Sequence, residues 1–216
     1  MGEGVDTYML KEYLEKNYGY NEPIFINEIR LDGLNDNALR QYFKRMLGSG
    51  DLARFDIGIY YLPKASRLLK KSYLDPMKVI VRKYIKSTTE TYGYFAGATF
   101  ANEIGLTTQM PAMLEIITSK ESTKGRTVTV GPQAIRLKRP ATTITSENAG
   151  LLQLLDAVSQ AEKYSELSAL ETGILLKNYA KQQNYSKELL SSVLSGITGS
   201  TAKKLIEWGI IYEFIS

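Results

Sequence analysis

The 216-residue chain contains no histidine and no cysteine. Those two absences remove Ser-His-Asp and Cys-His nucleophilic centres, imidazole general bases, and zinc sites built on thiolate or imidazole ligands. No disulfide can form either, so burial alone must hold the fold. Tryptophan occurs once and proline six times, never after Pro140. No apolar run approaches the length that spans a bilayer. The opening stretch MGEGVDTYMLKEYLEKNYG carries Lys11, Glu12, Glu15 and Lys16 within its apolar part, which is not how a signal peptide is built. A cytoplasmic protein with no membrane partner is the expectation.

What remains is ordinary globular material, 44% hydrophobic and 23% charged, enough for one large domain or two small ones. Tyrosine is abundant at 15 residues, 11 of them before residue 95. Carboxylates are present, so acid–base or Mg²⁺ chemistry stays within reach of the composition. The net charge of +4 is small, but its distribution is uneven. Residues 1–29 carry −4, and residues 30–86 carry +8 from thirteen Lys and Arg against five Asp. Residues 87–139 carry +2 and residues 140–216 carry −2. A basic block of this kind is what a polyanion-binding surface requires, although a solvated helix face with a basic linker has the same composition.

Along the chain, residues 6–18 read as an amphipathic helix with Asp6 as N-cap, Gly19 as stop, and Tyr8, Met9, Tyr13 and Leu14 on one stripe. IFINEIRL reads as a short helix ended by Asp32-Gly33. A second helix starts at Asn35 and runs to Leu47, and DLARFDIGIYYLP reads as a hairpin turning at Asp56-Ile57-Gly58. Within it Tyr60 and Tyr61 alternate across a strand, one toward the core and one outward. Helix, short helix, turn, helix and hairpin over about 60 residues is the order of a winged helix-turn-helix.

Ala65–Lys71 and Pro76–Ser87 read as a basic helical connector, with Asp75-Pro76 opening the second piece. GYFAGATFANEIGL suggests a short helix, and AMLEIITS, RTVTVG and AIRLKRP are three strand-like runs. Residues 147–161, 166–183, 186–195 and 200–208 carry helical spacing, and IIYEFI closes as a strand. The expected fold is α+β: a winged helix-turn-helix over 1–64, a connector over 65–89, and a mixed α/β C-terminal domain over 90–216.

The helix from Asn35 separates its faces cleanly at 100° per residue. Leu39, Phe43 and Met46 share one side, with Leu47 close by. Asn37, Arg40, Gln41 and Lys44 follow the i, i+3, i+4, i+7 pattern on the other, with Arg45 at the flank. Arg and Lys donate to guanine, and Asn and Gln pair with adenine, so this polar face has the residue types that base reading needs. It carries no acid, whereas solvated helices commonly mix Glu with Lys. Arg54 on the hairpin suits a wing lying along the backbone or in the minor groove, and Arg30 suits a phosphate contact. Lys64, Arg67, Lys70 and Lys71 would extend that contact. No Walker loop or GxGxxG motif is present, no SxxK nucleophile motif accompanies the Ser- and Thr-rich ATTITSEN, and Glu103, Glu115 and Glu121 lie in different elements. No cofactor, metal or catalytic residue is assigned, and the chain is not read as an enzyme.

The segments NALRQYFKRMLGSGDLARFDIGIYYLP, TYGYFAGATFANEIGLTTQMPAMLEIITSK and TSENAGLLQLLDAV, in that order, resemble the AbiEi-type antitoxins of bacterial abortive-infection (type IV) toxin–antitoxin systems. The resemblance spans nearly the whole chain. It implies a DNA-binding autorepressor of its own operon, acting at inverted repeats in double-stranded promoter DNA. It further implies a C-terminal region that neutralises a cognate nucleotidyltransferase-like toxin. By position, the recognition face would be Asn37, Arg40, Gln41 and Lys44, with Arg54 in the wing. The alternatives are a winged-helix protein-interaction module, a regulator unconnected with any toxin, and a nucleic-acid enzyme using carboxylate-bound Mg²⁺.

Overall fold

A computed structural model describes residues 3–64 and 72–214 and divides the chain into two units, Met1–Val79 and Ile80–Ser216. The class is α+β, with eight α-helices and two sheets among the described residues. Ala65–Lys71, the first piece of the expected connector, lies outside the described residues. No helix among the described residues is long and apolar enough to cross a membrane.

The first unit opens with α1 (Glu3–Asn17), followed by β1 (Ile24–Phe25), a 3₁₀ turn at Ile26–Glu28, α2 (Asp36–Ser49), β2 (Ala53–Asp56) and β3 (Ile59–Tyr61). The strands form an antiparallel sheet in the order β1-β3-β2. Leu10 and Leu14 of α1, Leu39, Phe43 and Met46 of α2, and Ile24, Leu52 and Leu62 build its core. Helix α1 starts three residues ahead of Asp6, which therefore lies inside it and does not cap it. Its phase also differs from the expected stripe. Leu14 and half-buried Tyr13 of that stripe do turn inward, but Leu10, at i−4 from Leu14, joins them while Tyr8 and Met9 are 70% and 61% exposed. Both candidate stripes contain large apolar residues, and packing against α2 and the sheet selects the aliphatic one.

IFINEIRL is not a helix. Ile24 and Phe25 pair with Tyr60 and Ile59, which buries both and satisfies backbone groups that one isolated helical turn would leave open. Only Ile26–Glu28 remains helical, as a 3₁₀ turn. The two hairpin tyrosines also depart from expectation, since both are half-buried. A register shift between Arg54 and Asp56 breaks strict alternation, and the Tyr60 ring stands edge-on to Phe43 at 4.9 Å.

Helix α3 follows over Pro76–Tyr84. The Asp75 carboxylate accepts from the Met77 amide at the start of this helix, the cap that Asp75-Pro76 signals.

In the second unit, β4 (Gly93–Phe95) precedes α4 (Gly97–Glu103), so the expected short helix is a strand followed by a helix. Then come β5 (Met113–Thr118), β6 (Arg126–Val130) and β7 (Gln133–Lys138). The sheet order is β4-β5-β7-β6, with β5 and β7 parallel and the other pairs antiparallel. Four helices follow: α5 (Ala149–Tyr164), α6 (Ala169–Gln183), α7 (Lys187–Val193) and α8 (Gly199–Glu207). Leu151, Leu154 and Val158 of α5 pack with Leu176, Leu205 and Phe214 in one apolar cluster. The last segment, Ile210–Phe214, is 3₁₀ and not a strand. Among the described residues no strand pairs with it, and the helical spacing sends Ile210 and Phe214 into that cluster.

Gly93 is fixed by sterics. A side-chain carbon there would collide with the main-chain carbonyl oxygens of Tyr84 and Ile117, neither of which can swing aside. Gly93→Ala is therefore expected to destabilise the second unit by at least the roughly 1–3 kcal/mol of overpacking a core. Thermal unfolding followed by circular dichroism measures it, and an unchanged melting temperature would show that the two carbonyls yield.

Candidate nucleic-acid interface

Helix α2 is set by its own sequence. The Asn35 side chain accepts a hydrogen bond from the Ala38 amide at 2.9 Å, and Gly50 closes the C-terminal end. Leu39, Phe43 and Met46 are buried, as the 100° spacing predicts, so the helix cannot rotate without exposing them. The opposite face is thereby fixed outward. Asn37, Arg40, Gln41, Lys44 and Arg45 are all exposed.

Arg40, Gln41 and Lys44 have no ion-pair or hydrogen-bond partner among the described residues, so their donors are available. Arg45 differs, since its guanidinium lies 5.5 Å from the centre of the Tyr42 ring. That stacking holds it at the flank of the helix. The only acid in α2 is Asp36, in the first turn, where it complements the helix dipole.

The two arginines outside α2 are less free. Arg54 is exposed on β2, and its Nε donates to the Asp56 carbonyl of the same strand at 3.2 Å. Arg30 is also exposed, and one guanidinium nitrogen donates to the carbonyls of Asn27 and Ile29. Each retains further N–H donors for an incoming anion. At the tip of the hairpin, Ile57 is exposed beside the Asp56 carboxylate, which accepts from the Ile57 amide at 2.7 Å. Among the expected extension residues, Lys64 sits 5.4 Å from the centre of the Tyr20 ring. Arg67, Lys70 and Lys71 lie outside the described residues. Lys78 is neutralised by Glu22.

The structure also gathers groups that the sequence reading left separate. In the second unit the Glu115 carboxylate accepts from Lys138 Nζ and from the Tyr164 hydroxyl, both at 2.7 Å. Burial raises its pKa, but the hydrogen bonds from Lys138, Tyr164 and the Ala98 amide outweigh burial and hold it below the ordinary glutamate value. The sequence separates Glu115 from Glu103 and Glu121 by element and does not point to Lys138 or Tyr164. Its partners lie 23 and 49 residues downstream, a separation with no periodic signal in the chain. Among the described residues, no group of three or more acids, His or Cys is placed to hold a metal ion. No family model matches this chain, and no curated protein matches it.

Proposed function

We propose that residues 1–64 are a winged helix-turn-helix and that the protein is a cytoplasmic, DNA-binding transcriptional autorepressor and antitoxin. In this reading α2 is the recognition helix, β2–β3 is the wing, and the target is double-stranded DNA in the protein's own promoter, arranged as inverted repeats. The C-terminal unit counters a nucleotidyltransferase-type toxin. One observation carries the DNA reading: α2 buries an aliphatic and aromatic face and turns outward Asn, Arg, Gln and Lys with free donors and no acid among them. The order helix, strand, turn, helix, hairpin, with β1 joining the hairpin as a third strand, supports it. The antitoxin half rests on the sequence resemblance alone.

Binding to the protein's own promoter fragment at two salt concentrations tests the reading. Four phosphate contacts would cost about a hundredfold in affinity between 50 and 200 mM salt, since the logarithmic slope is about −0.9 per phosphate. Absence of binding, or binding indifferent to salt, would overturn it. Such an outcome would favour the alternative of a protein-interaction module, for which the exposed Tyr8 and Met9 of α1 would be the contact residues. The antitoxin role is tested by co-expression with the nucleotidyltransferase-like product of an adjacent gene, where restored growth is the expected result.

A further inference from the structure

In the second unit, a cleft of about 210 Å³ lies between β4–β5, α5 and the turn that leads into α8. It exceeds the roughly 150 Å³ that accepts benzene and falls short of the several hundred Å³ that enclose a drug-sized molecule. A small metabolite fits that range, and a complete nucleotide does not.

Side chains of both charges line it. One is Asp156 of α5, whose carboxylate has only neutral partners: Gln160 Nε2 at 2.8 Å and the Gly97 amide at 3.5 Å. It forms no ion pair among the described residues, and the nearby Lys138 is already engaged by Glu115. Burial pushes the Asp156 carboxyl above the ordinary aspartate range, the mark of a charge that lacks a cation. The other is Arg139, just past β7. Its guanidinium has no ion-pair or hydrogen-bond partner among the described residues, and its planar fork matches a carboxylate. The Tyr94 hydroxyl, of the same lining, is also without a hydrogen-bond partner among the described residues. Burial, and then the Asp156 charge, raise its pKa, so it remains a donor. Ile117 and Leu155 supply an apolar wall.

We propose that this cleft binds a free L-α-amino acid with a short apolar side chain, its ammonium on Asp156 and its carboxylate on Arg139. The ligand supplies the cation that Asp156 lacks and the anion that Arg139 lacks, in one molecule of the right size. The Tyr94 hydroxyl donates to the carboxylate, and the side chain lies against Ile117 and Leu155. This site involves no residue of α2 or the hairpin and stands whether or not the protein binds DNA.

The test uses the full-length protein with alanine, valine and leucine at millimolar concentration, read by thermal shift and by titration calorimetry. At least one of them is expected to raise the melting temperature and bind. Its N-acetyl and amide derivatives, each lacking one charge, are expected to bind at least about tenfold more weakly. Arg139→Met and Asp156→Asn should weaken the parent amino acid by a similar factor. Arg139 is exposed, so its variant keeps the fold, and if Asp156→Asn unfolds, the N-acetyl ligand tests the same contact. The proposal is overturned if none of the three binds, if the derivatives bind as tightly as the parent, or if Arg139→Met leaves the affinity unchanged. Binding of a nucleoside monophosphate in place of an amino acid overturns it equally.

Discussion

With α2 as the proposed recognition helix, replacing Arg40 and Lys44 together by alanine is expected to lower affinity for the protein's own promoter by about thirtyfold to ten-thousandfold while the melting temperature stays near that of the wild type. The range follows from about 1–3 kcal/mol for each good contact to a base edge, with 1.4 kcal/mol per factor of ten. The fold is spared because both side chains are exposed and alanine is a strong helix former. Single variants separate the two roles. A residue on a phosphate weakens all sequences alike and reduces the salt slope by about one, whereas a residue reading a base relaxes preference at one position. Gel shifts that do not change in the double variant would rule out α2 as the recognition helix.

Phe43→Ala acts from the other side of the same helix and has the larger effect on stability, about 3–5 kcal/mol. Phe43 is 1% exposed and meets the Tyr60 ring edge-on, so its removal opens a cavity where α2 meets β3. A unit of this size has little stability to spare, since whole domains are held by only about 5–15 kcal/mol. Circular dichroism and limited proteolysis should show residues 3–64 becoming susceptible to cleavage, with promoter binding lost as a consequence. Phe43→Leu, which keeps most of the volume, should cost no more than about 1.5 kcal/mol and retain binding. If Phe43→Ala melts like the wild type, the core of this unit is not where the structure puts it.

The two variants also mark how far the sequence could be read. Helix α2 was legible in full, because its cap at Asn35, its apolar stripe and its polar face all repeat within four residues. Strands β5, β6 and β7 were legible as strands for the same local reason. The parallel pairing of β5 with β7 was not, since it joins segments whose order in the sheet nothing local specifies. Helix α1 was legible as a helix, but its phase was not. Tyr8 and Met9 compete with Leu10 for the core on equal terms until the neighbouring elements are in place. Ile24–Phe25 and Ile210–Phe214 were misread in opposite directions, each being too short for periodicity to decide between strand and helical turn. Of the candidate interface, the α2 residues were found in the sequence. The hydrogen bonds that occupy part of Arg30 and Arg54 were not, because they depend on turn geometry. The Asp156 cleft and the Glu115–Lys138–Tyr164 group lay beyond reach, being assembled from strands and helices far apart in the chain.

Trp208, which ends α8, packs against α6 where Gly173 leaves no side chain, so that a Cβ at that position would lie 2.8 Å from the indole. It is the only tryptophan in the protein, and Gly173 and Lys204 beside it belong to the second unit. Intrinsic fluorescence excited at the indole band therefore reports the helical layer around α6. Melting of the first unit, which holds no tryptophan, is followed in the tyrosine band and in far-ultraviolet dichroism. The molecule thus carries its own spectroscopic label for telling which half has come apart.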